Sequence, residues 1–224
     1  MKYTEAKVVF SEIPDEITLA INISGCQVRC PDCHSKYLWE DIGEELNIDS
    51  IRTLIESNKD ITCIAFMGGD SDSEIRKFLD FIKFIYPKIK TAWYSGKYDD
   101  INEVNDEILL YLDYLKVGSY YKELGPLNER TTNQKFYKKF NTKWLDITYR
   151  FWGESYDKHE VANYTLSLDN EHVNRVNKAL EIKLKKYGQK YCPCVSPLAH
   201  SRDTICPCLA YRMTGICHCE LYTN

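Results

Sequence analysis

The sequence lacks the features of nucleic-acid-binding, membrane and exported proteins. Its 224 residues carry a formal net charge of −4 at pH 7, which provides no basic surface for a polyanion. No apolar run approaches the roughly 18 residues that a membrane span needs. The first residues, MKYTEAKVVF, contain neither the basic nor the apolar region of a signal peptide. We therefore expect a cytoplasmic protein with no nucleic-acid or membrane partner, acting on a protein or a small molecule.

Cysteine, by contrast, is abundant, with ten residues in the chain. Cytosolic thiols are kept reduced, so a disulfide framework is disfavoured and metal binding or catalysis is favoured. Three cysteines fall between Cys26 and Cys33, six fall between Cys192 and Cys219, and Cys63 stands alone. This grouping predicts two separate sites.

Short β-rich runs alternate with helix-like stretches in the first two thirds of the chain. The strands are predicted at 17–24, 61–67, 90–94 and 114–120, with helices at 50–58 and 73–86. Asp49 or Ser50 and Asp72 or Ser73 are the predicted N-caps of these helices. The alternation indicates βα units on a parallel sheet, so we predict an α/β fold with a partial, open βα barrel.

The predicted domain boundary follows the β-rich run WLDITYRFW at 144–152, where the chain turns polar. We place a first domain at 1–153, a linker at 154–169 and a second domain at 170–224. The second begins with an amphipathic helix at about 170–186, stopped by Gly188. Its cysteine-rich tail is too short for a large core, so we predict a small, mainly helical domain held together by a metal centre.

The first cysteine group lies in the segment SGCQVRCPDCHSKYLW, directly after the first predicted strand. The thiolates of Cys26, Cys30 and Cys33 can bind three irons of a cubane cluster. A cubane cluster that only transfers electrons is normally held by four thiolate ligands. The fourth iron would stay open for a substrate, and the amino and carboxylate groups of S-adenosylmethionine are suitable chelators. The alternative is a zinc site completed by His34, although zinc usually takes a distant second ligand pair.

This region resembles the radical S-adenosylmethionine enzymes, and more closely the activating protein of anaerobic ribonucleotide reductase. The resemblance rests on SGCQVRCPDCHSKYLW, MGGD, TAWYSGKY and LKVGSYYKELGPLNERTTNQKFY. It implies a radical-enzyme type of open βα barrel and a 4Fe-4S cluster on the three cysteines. It also implies that Gly68 and Gly69 meet the amino group of S-adenosylmethionine, with Asp70 adjacent as a further cofactor-binding residue. The implied partner is the large subunit of the reductase, on which a glycyl radical is generated.

The chain departs from many radical enzymes of this type in the residue before the third cysteine. That residue is Asp32 rather than an aromatic, and His34 follows the cysteine. Both are predicted to contact the cofactor. The segments 118–121 and 130–134 are candidates for the partner surface.

The second cysteine group reads YCPCVSPLAHSRDTICPCLAYRMTGICHCELY. Six cysteines exceed the four that a cubane cluster needs, and the surplus pair indicates a dithiol that exchanges electrons with the cluster. The C-x-C spacing is unlike that of zinc fingers, whose paired ligands usually lie two to four residues apart. A structural zinc or two-metal site is the alternative.

This tail resembles the catalytic subunit of ferredoxin:thioredoxin reductase. The resemblance implies a second 4Fe-4S cluster and a redox-active pair made of Cys194 and Cys219. His218 would lie beside that pair and assist proton transfer. A ferredoxin or flavodoxin would be the electron donor, and a thioredoxin-like protein a possible partner. The implied cluster ligands are Cys192, Cys206, Cys208 and Cys217.

The two resemblances together predict an activating enzyme of anaerobic ribonucleotide reductase whose tail supplies dithiol electrons. In a second version, the tail cluster relays electrons to the radical cluster. Three alternatives stay open: a radical enzyme acting on another substrate, a ferredoxin-dependent disulfide reductase with a degenerate front domain, and a zinc-stabilised binding module.

Overall fold

The computed structural model describes residues 1–70, 72–140, 142–152, 165–214 and 216–223. The chain divides into two compact units, Met1–Gly153 and Glu154–Asn224. The strands of the first unit are β1 (Lys2–Val9), β2 (Thr18–Ile23), β3 (Glu44–Glu45), β4 (Cys63–Met67), β5 (Lys90–Tyr94), β6 (Tyr114–Val117), β7 (Lys135–Phe140) and β8 (Lys143–Asp146). Its helices are α1 (Ile48–Ser57), α2 (Asp72–Ile85) and α3 (Asp106–Leu109).

The first unit is built on one open, mixed sheet of eight strands in the order β3-β1-β2-β4-β5-β6-β7-β8. The central strands β2, β4, β5 and β6 are parallel to one another, while the outer pairings β3-β1, β1-β2, β6-β7 and β7-β8 are antiparallel. Parallel pairing requires crossover connections, and α1, α2 and α3 lie in those connections. The unit is therefore α/β.

One face of the sheet is covered by the helices. Strand β4 reads CIAFM and is buried almost throughout, as expected for a central parallel strand. Helix α2 contributes Ile75, Phe78, Leu79 and Ile82, which recur at helical spacing and lie in the same apolar cluster as Phe66. Burying this stripe against the sheet is what stabilises α2, because short helices are marginal alone.

The opposite face carries an aromatic cluster. The ring of Phe136 lies 5.7 Å from that of Tyr94, 6.0 Å from that of Tyr114 and 4.9 Å from that of Phe151. Glu16 is buried at this side and accepts hydrogen bonds from the Tyr114 hydroxyl and from Lys90. Both faces of the central strands are thus shielded from water.

The carboxyl ends of the four parallel strands meet at one edge of the sheet. Asn22, Met67, Tyr94 and Lys116 are aligned across β2, β4, β5 and β6. The loops that follow these residues carry the first cysteine group, the MGGD glycines and the segment after β6. In α/β folds this edge is where ligands bind.

Three local predictions differ from the structure. The predicted strand 144–152 ends early, because the Asp146 carboxylate accepts hydrogen bonds from the Thr148 amide and hydroxyl and starts a short 3-10 helix. Helix α1 is capped by Asn47 rather than Asp49 or Ser50, through a capping box with Ser50. Helix α2 begins at Asp72, so Asp72 and Ser73 lie inside its first turn.

The second unit contains β9 (Thr165–Leu166), α4 (Asn170–Tyr187), α5 (Leu209–Thr214) and β10 (Tyr222–Thr223). Helix α4 is capped by the Asp169 side chain and ends at Gly188, whose φ of +75° is left-handed. Of the predicted linker, 154–164 lies outside the described residues, whereas Thr165–Leu166 pairs with Tyr222–Thr223. None of the described helices combines the length and apolar character needed to cross a membrane.

Candidate functional site

The first cysteine group lies on a loop held against the segment that follows it. The amide of Gly25 donates to the Glu40 carbonyl at 3.0 Å, and that of Cys26 donates to the Leu38 carbonyl at 2.9 Å. The Ser24 hydroxyl donates to the Ile42 carbonyl at 2.6 Å. These bonds fold the loop back at the carboxyl end of β2, where Cys26, Cys30 and Cys33 are all half-buried.

Two of these sulfurs accept hydrogen bonds from backbone amides. The Tyr120 amide lies 3.4 Å from the Cys30 sulfur, and the Ser35 amide lies 3.3 Å from the Cys33 sulfur. Amide hydrogen bonds stabilise the negative charge of a thiolate and help to set the reduction potential of an iron–sulfur cluster. The bond from Tyr120 also connects the loop after β6 to the cysteine loop.

The MGGD segment requires glycine at two successive positions. Gly68 and Gly69 have φ angles of +89° and +72°, in the left-handed region. A Cβ atom on Gly69 would lie 2.5 Å from the Cγ2 atom of Ile23, so the segment passes tightly over the end of β2. The Gly68 carbonyl accepts a hydrogen bond from the Trp93 indole at 3.0 Å, which uses one of its two lone pairs.

Asp70 has one satisfied and one unsatisfied carboxylate oxygen. Its Oδ1 atom accepts a hydrogen bond from the Ser95 hydroxyl, while its Oδ2 atom is buried without a partner among the described residues. Burial raises the pKa of this carboxyl, although the bonds from Ser95 and the Lys97 amide and the charge of Lys116 act in the opposite direction. This oxygen is therefore available to a donor that a ligand or a water molecule brings.

Lys116 is a site residue that the sequence analysis missed. It is buried at the end of β6, and its ammonium group donates to the Gly118 carbonyl at 2.5 Å. Burial lowers the pKa of this amine to about 8, against the opposing charges of Cys30, Asp70 and Cys33. Lys116 could have been identified from the sequence, because it is a lysine inside the otherwise apolar strand sequence YLKV.

A pocket of about 290 Å³ extends from the cysteine loop to the MGGD segment. It is lined by Gly25 and Gln27 on one side and by Gly69 and Asp70 on the other. Asp32 and His34, which are predicted to contact the cofactor, are exposed. The His34 ring lies 5.0 Å from the Tyr120 ring, with its Nε2 atom 3.4 Å from the hydroxyl oxygen. The pocket lining therefore includes Asp70, but it includes none of Asp32, His34, Lys116 and the three cysteines.

The residues at this edge fit a cluster with a zwitterionic ligand. Three accessible thiols supply cluster ligands, the free Asp70 oxygen suits an amino group, and the Lys116 ammonium suits a carboxylate. The predicted roles of Cys26, Cys30, Cys33, Gly68 and Gly69 stay predictions.

In the second unit, the two CPC segments lie side by side. The Cys192 amide donates to the Thr204 carbonyl at 2.6 Å, and the Cys206 amide donates to the Lys190 carbonyl at 2.8 Å. Tyr191 and Ile205 also form an isolated β-bridge. This pairing brings together two cysteine segments that are separated by eleven residues in the sequence.

Helix α4 supplies the apolar surface beneath these cysteines. Val173, Val176 and Leu180 recur at helical spacing and pack in one cluster with Cys192 and Cys219. Cys192 and Cys219 are 4% and 9% exposed, whereas Cys194 is exposed. One member of the predicted redox pair is therefore accessible and the other is buried.

The sulfur atoms of the predicted redox pair are in contact. The Cys194 and Cys219 sulfurs lie 2.7 Å apart, and the Cys192 and Cys219 sulfurs lie 2.9 Å apart. Cys192 also hydrogen-bonds Cys208, so it connects the pair to the remaining cysteines. Among the described residues, Cys192, Cys194 and Cys219 form a group whose sulfurs all lie within 4.8 Å of one another.

The environment of the tail favours protonated thiols in the metal-free protein. Burial raises the pKa of Cys206 to about 11. A hydrogen bond from Cys208 would lower the pKa of Cys192, but the bond to Cys219 and burial outweigh it and raise the value to about 11. The hydrogen bond to Cys192 and burial raise the pKa of Cys208 as well. Metal binding at these thiols must therefore displace protons.

Two histidines of the second unit lie near the cysteines in sequence or in space. His218 is exposed and makes no hydrogen bond within the described part of the chain, and its predicted role in proton transfer stays a prediction. The ring of His172, on α4, has its Nε2 atom 2.7 Å from the Cys219 carbonyl oxygen. Sequence reasoning missed His172 because it lies 47 residues before its partner and outside any motif.

The number of cysteines in the tail suits a cluster with an adjacent dithiol. Burial does not separate the predicted ligands from the predicted pair, because Cys219 is buried as Cys192 is. The sulfur contacts place the predicted ligand Cys192 beside Cys194 and Cys219. Four thiolates satisfy a cubane and leave the contacting pair Cys194 and Cys219. The individual ligand assignments stay predictions.

Two models of known protein families match the two cysteine-bearing parts of the chain. The model of the ferredoxin thioredoxin reductase catalytic beta chain matches residues 138–224, which confirms the resemblance of the tail and includes all six of its cysteines. A search of curated proteins gave no match. The model of the 4Fe-4S single cluster domain matches residues 17–138, more than half of the chain and including Cys26, Cys30 and Cys33. The protein is therefore an iron–sulfur protein with a redox function, and the chain belongs to the 4Fe-4S single cluster domain family.

Proposed function

We propose that the protein is an activating enzyme of anaerobic ribonucleotide reductase with a built-in disulfide reductase. The first unit would cleave S-adenosylmethionine reductively and generate a glycyl radical on the large reductase subunit. The second unit would use a 4Fe-4S cluster and the Cys194–Cys219 pair to deliver thiol electrons. The observation that carries the disulfide reductase part of the proposal is the 2.7 Å contact between these two sulfurs, with the Cys192 sulfur 2.9 Å from that of Cys219.

The accessibility of the two sulfurs suggests which of them attacks the partner and which one then closes the disulfide within the second unit. The exposed Cys194 thiolate attacks the disulfide of a partner and forms a mixed disulfide, releasing one partner thiol. The buried Cys219 then attacks Cys194, releases the second partner thiol and closes the Cys194–Cys219 disulfide. Two electrons and two protons must return to the pair before the next cycle, and a bound cluster supplies such electrons one at a time from a ferredoxin-like or flavodoxin-like donor.

The first unit has the groups that would orient S-adenosylmethionine. The free Asp70 oxygen would accept hydrogen bonds from its amino group, and Lys116 would pair with its carboxylate. The tight passage of Gly68 and Gly69 over Ile23 would hold these contacts beside the cysteine loop. Cys26, Cys30 and Cys33 would hold a cluster beside these contacts, and such a cluster would supply the electron for reductive cleavage of the C–S bond of this sulfonium.

The second unit is tested with cysteine variants of the anaerobically reconstituted protein. C194S and C219S are expected to keep the iron of the tail cluster and to lose reduction of a thioredoxin-like disulfide. C192S is expected to lose tail iron, because Cys192 is a proposed ligand. If C194S loses iron as C192S does, the assignment of the pair is wrong.

The first unit is tested by measuring 5′-deoxyadenosine under strong reduction. C26S should abolish the product, and D70N should weaken S-adenosylmethionine binding by about tenfold, the loss of roughly one charge-assisted hydrogen bond. The control D60N changes an exposed aspartate in the loop before β4 and should behave like the unsubstituted protein. If the unsubstituted protein forms no 5′-deoxyadenosine, it is a disulfide reductase alone.

The proposed partner is tested by paramagnetic resonance of the large reductase subunit. A glycyl radical should appear only with S-adenosylmethionine, reductant and the intact first unit. Formation of 5′-deoxyadenosine without that radical would indicate another substrate. C194S and C219S should leave radical formation intact; its collapse would favour electron relay from the tail cluster instead.

A further inference from the structure

An exposed apolar loop follows the exposed sulfur of the second unit. Cys194 is exposed, and residues 195–199 after it read VSPLA. Leu198 in this 195–199 loop is 99% exposed. A single exposed leucine is ordinary on a protein surface, so its exposure alone assigns no role. Two further observations bear on Leu198: the rigidity of the loop and its closeness to Cys194.

The two ends of the 195–199 loop are held by contacts to other parts of the second unit. At its start, the Val195 amide donates to the Cys192 carbonyl at 3.1 Å, and Lys183 donates to the Val195 carbonyl at 2.6 Å. Directly after its end, the His200 ring stacks on the Tyr191 ring with centroids 4.0 Å apart. The loop is therefore anchored on both sides although its tip faces solvent.

The backbone of Leu198 itself is also fixed. The Leu198 amide donates to the Ser196 hydroxyl at 3.4 Å, and the Ala199 amide donates to the Ser196 carbonyl at 2.9 Å. These bonds form the short 3-10 helix Pro197–Ala199. An apolar side chain on a fixed backbone loses little further conformational entropy when a partner buries it, which is a property of strong binding residues.

The distance from Cys194 decides what can cover this leucine. Leu198 follows Cys194 by four residues, so their Cα atoms are at most about 14 Å apart. A protein interface of standard size covers about 800 Å² on each partner, which is a patch with a radius of about 16 Å. A folded protein whose interface is centred on the Cys194 sulfur therefore covers Leu198, whereas a small disulfide can react without touching it.

We propose that Leu198 is a docking residue for a folded, thioredoxin-like protein whose apolar surface beside its disulfide buries the leucine when that disulfide reaches Cys194. This inference rests on the proposed disulfide reductase function of the tail. In the exchange, the Cys194–Cys219 dithiol is oxidised to its disulfide, the S–S bond of the partner breaks, and two electrons and two protons pass to the partner sulfurs. Leu198 takes no part in these bond changes, so it acts on the capture of the partner.

The test compares a protein disulfide with a small disulfide as substrates of the reconstituted holoprotein. Reduced methyl viologen supplies the electrons, so that no second protein is present, and C194S gives the background rate. Leu198→Ala should raise the KM for oxidised thioredoxin about tenfold, because it removes most of the apolar area that the partner would bury, and leave kcat unchanged. Leu198→Asp should raise the KM further, and Leu198→Met, which keeps the apolar area, should restore it. The kinetics with hydroxyethyl disulfide should be the same in all of these variants.

Ile182 on α4 provides the matched control. It is 65% exposed and lies on the side of the helix away from Val173, Val176 and Leu180, which pack on the cysteines. Ile182→Ala and Ile182→Asp should leave the KM for thioredoxin within about twofold of the unsubstituted value. The iron content and the helical circular dichroism of every variant are measured beside the kinetics.

Four results would overturn the proposal. The first is an unchanged KM for thioredoxin in Leu198→Ala and Leu198→Asp. The second is an equal loss with hydroxyethyl disulfide, because Leu198 would then act on the exchange itself. The third is loss of iron in Leu198→Ala, which would show a structural role. The fourth is a dimer of the unsubstituted protein in sedimentation that Leu198→Asp dissociates, because a second copy of the chain would then cover the leucine.

Failure of the disulfide reductase function gives a different result. The unsubstituted protein would then reduce neither thioredoxin nor hydroxyethyl disulfide faster than C194S does, and the docking proposal would fall with that function. Reduction of both substrates with a KM for thioredoxin that does not depend on Leu198 would overturn the docking proposal alone.

Discussion

Replacing Gly69 by alanine is expected to destabilise the first unit by about 3 kcal/mol. The φ angle of +72° costs an L-residue about 1–2 kcal/mol. The new Cβ atom would lie 2.5 Å from Cγ2 and 2.9 Å from Cβ of Ile23. Ile23 is fully buried, so relieving this overlap requires backbone movement, which costs about 1–3 kcal/mol.

Gly25 provides the matched control in the same unit. Its φ angle is +74°, but a Cβ atom there would meet nothing within 4 Å. Gly25→Ala should therefore cost only the conformational part, about 1 kcal/mol. The difference between the two variants isolates the overlap with Ile23.

Tryptophan fluorescence during urea unfolding measures this difference, because all four tryptophans, Trp39, Trp93, Trp144 and Trp152, lie in the first unit. With a slope of about 2 kcal/mol per molar urea, Gly69→Ala should lower the midpoint by about 1.5 M and Gly25→Ala by about 0.5 M. Equal midpoints for the two variants would refute the steric argument.

Three further variants test the buried polar groups and the helix packing. Glu16→Ala should lower the free energy of unfolding of the first unit in urea by about 2–3 kcal/mol, because the buried carboxylate accepts a hydrogen bond from Tyr114 and forms an ion pair with Lys90. The control Glu5→Ala removes an exposed ion pair and should lower it by less than about 1 kcal/mol. Because the pKa of Lys116 falls from 10.5 to about 8 on folding, the contribution of Lys116 to the stability of the metal-free protein should rise by up to about 3 kcal/mol between about pH 8 and about pH 10.5. The difference in unfolding free energy between the unsubstituted protein and Lys116→Met, measured in urea at each pH, should show this rise, since the raised thiol pKa values affect both proteins. Leu180→Ala should lower the free energy of unfolding of the second unit by about 3 kcal/mol, measured from the loss of helical circular dichroism. A loss below about 1 kcal/mol would contradict the burial of Leu180 against Cys192 and Cys219.

The sequence predicted those strands that have an uninterrupted apolar pattern. CIAFM and KTAWY give β4 and β5, because central parallel strands are buried on both faces. The half-exposed β1 and the lysine-rich β7 were not predicted, because their pairing stabilises them more than their composition does.

The sequence analysis could predict those parts of the site whose residues lie close together in the sequence. The cysteine motifs and the MGGD glycines are short segments whose spacing carries the signal. His172 escaped notice because its partner, the Cys219 carbonyl, lies 47 residues away, and a histidine on a helix is usually a solvated residue. Lys116 escaped notice because its interactions with Cys30, Cys33 and Asp70 exist only where the fold brings the ends of neighbouring strands together.

The two outer strands of the open sheet have a consequence for self-association. Strand β3 consists of two exposed glutamates, and the opposite outer strand, β8, carries Lys143 and Asp146. Unpaired strand edges recruit strands from other molecules, and short or charged edges oppose this. We expect the first unit to resist amyloid-like growth at high concentration even though its sheet is not closed into a ring.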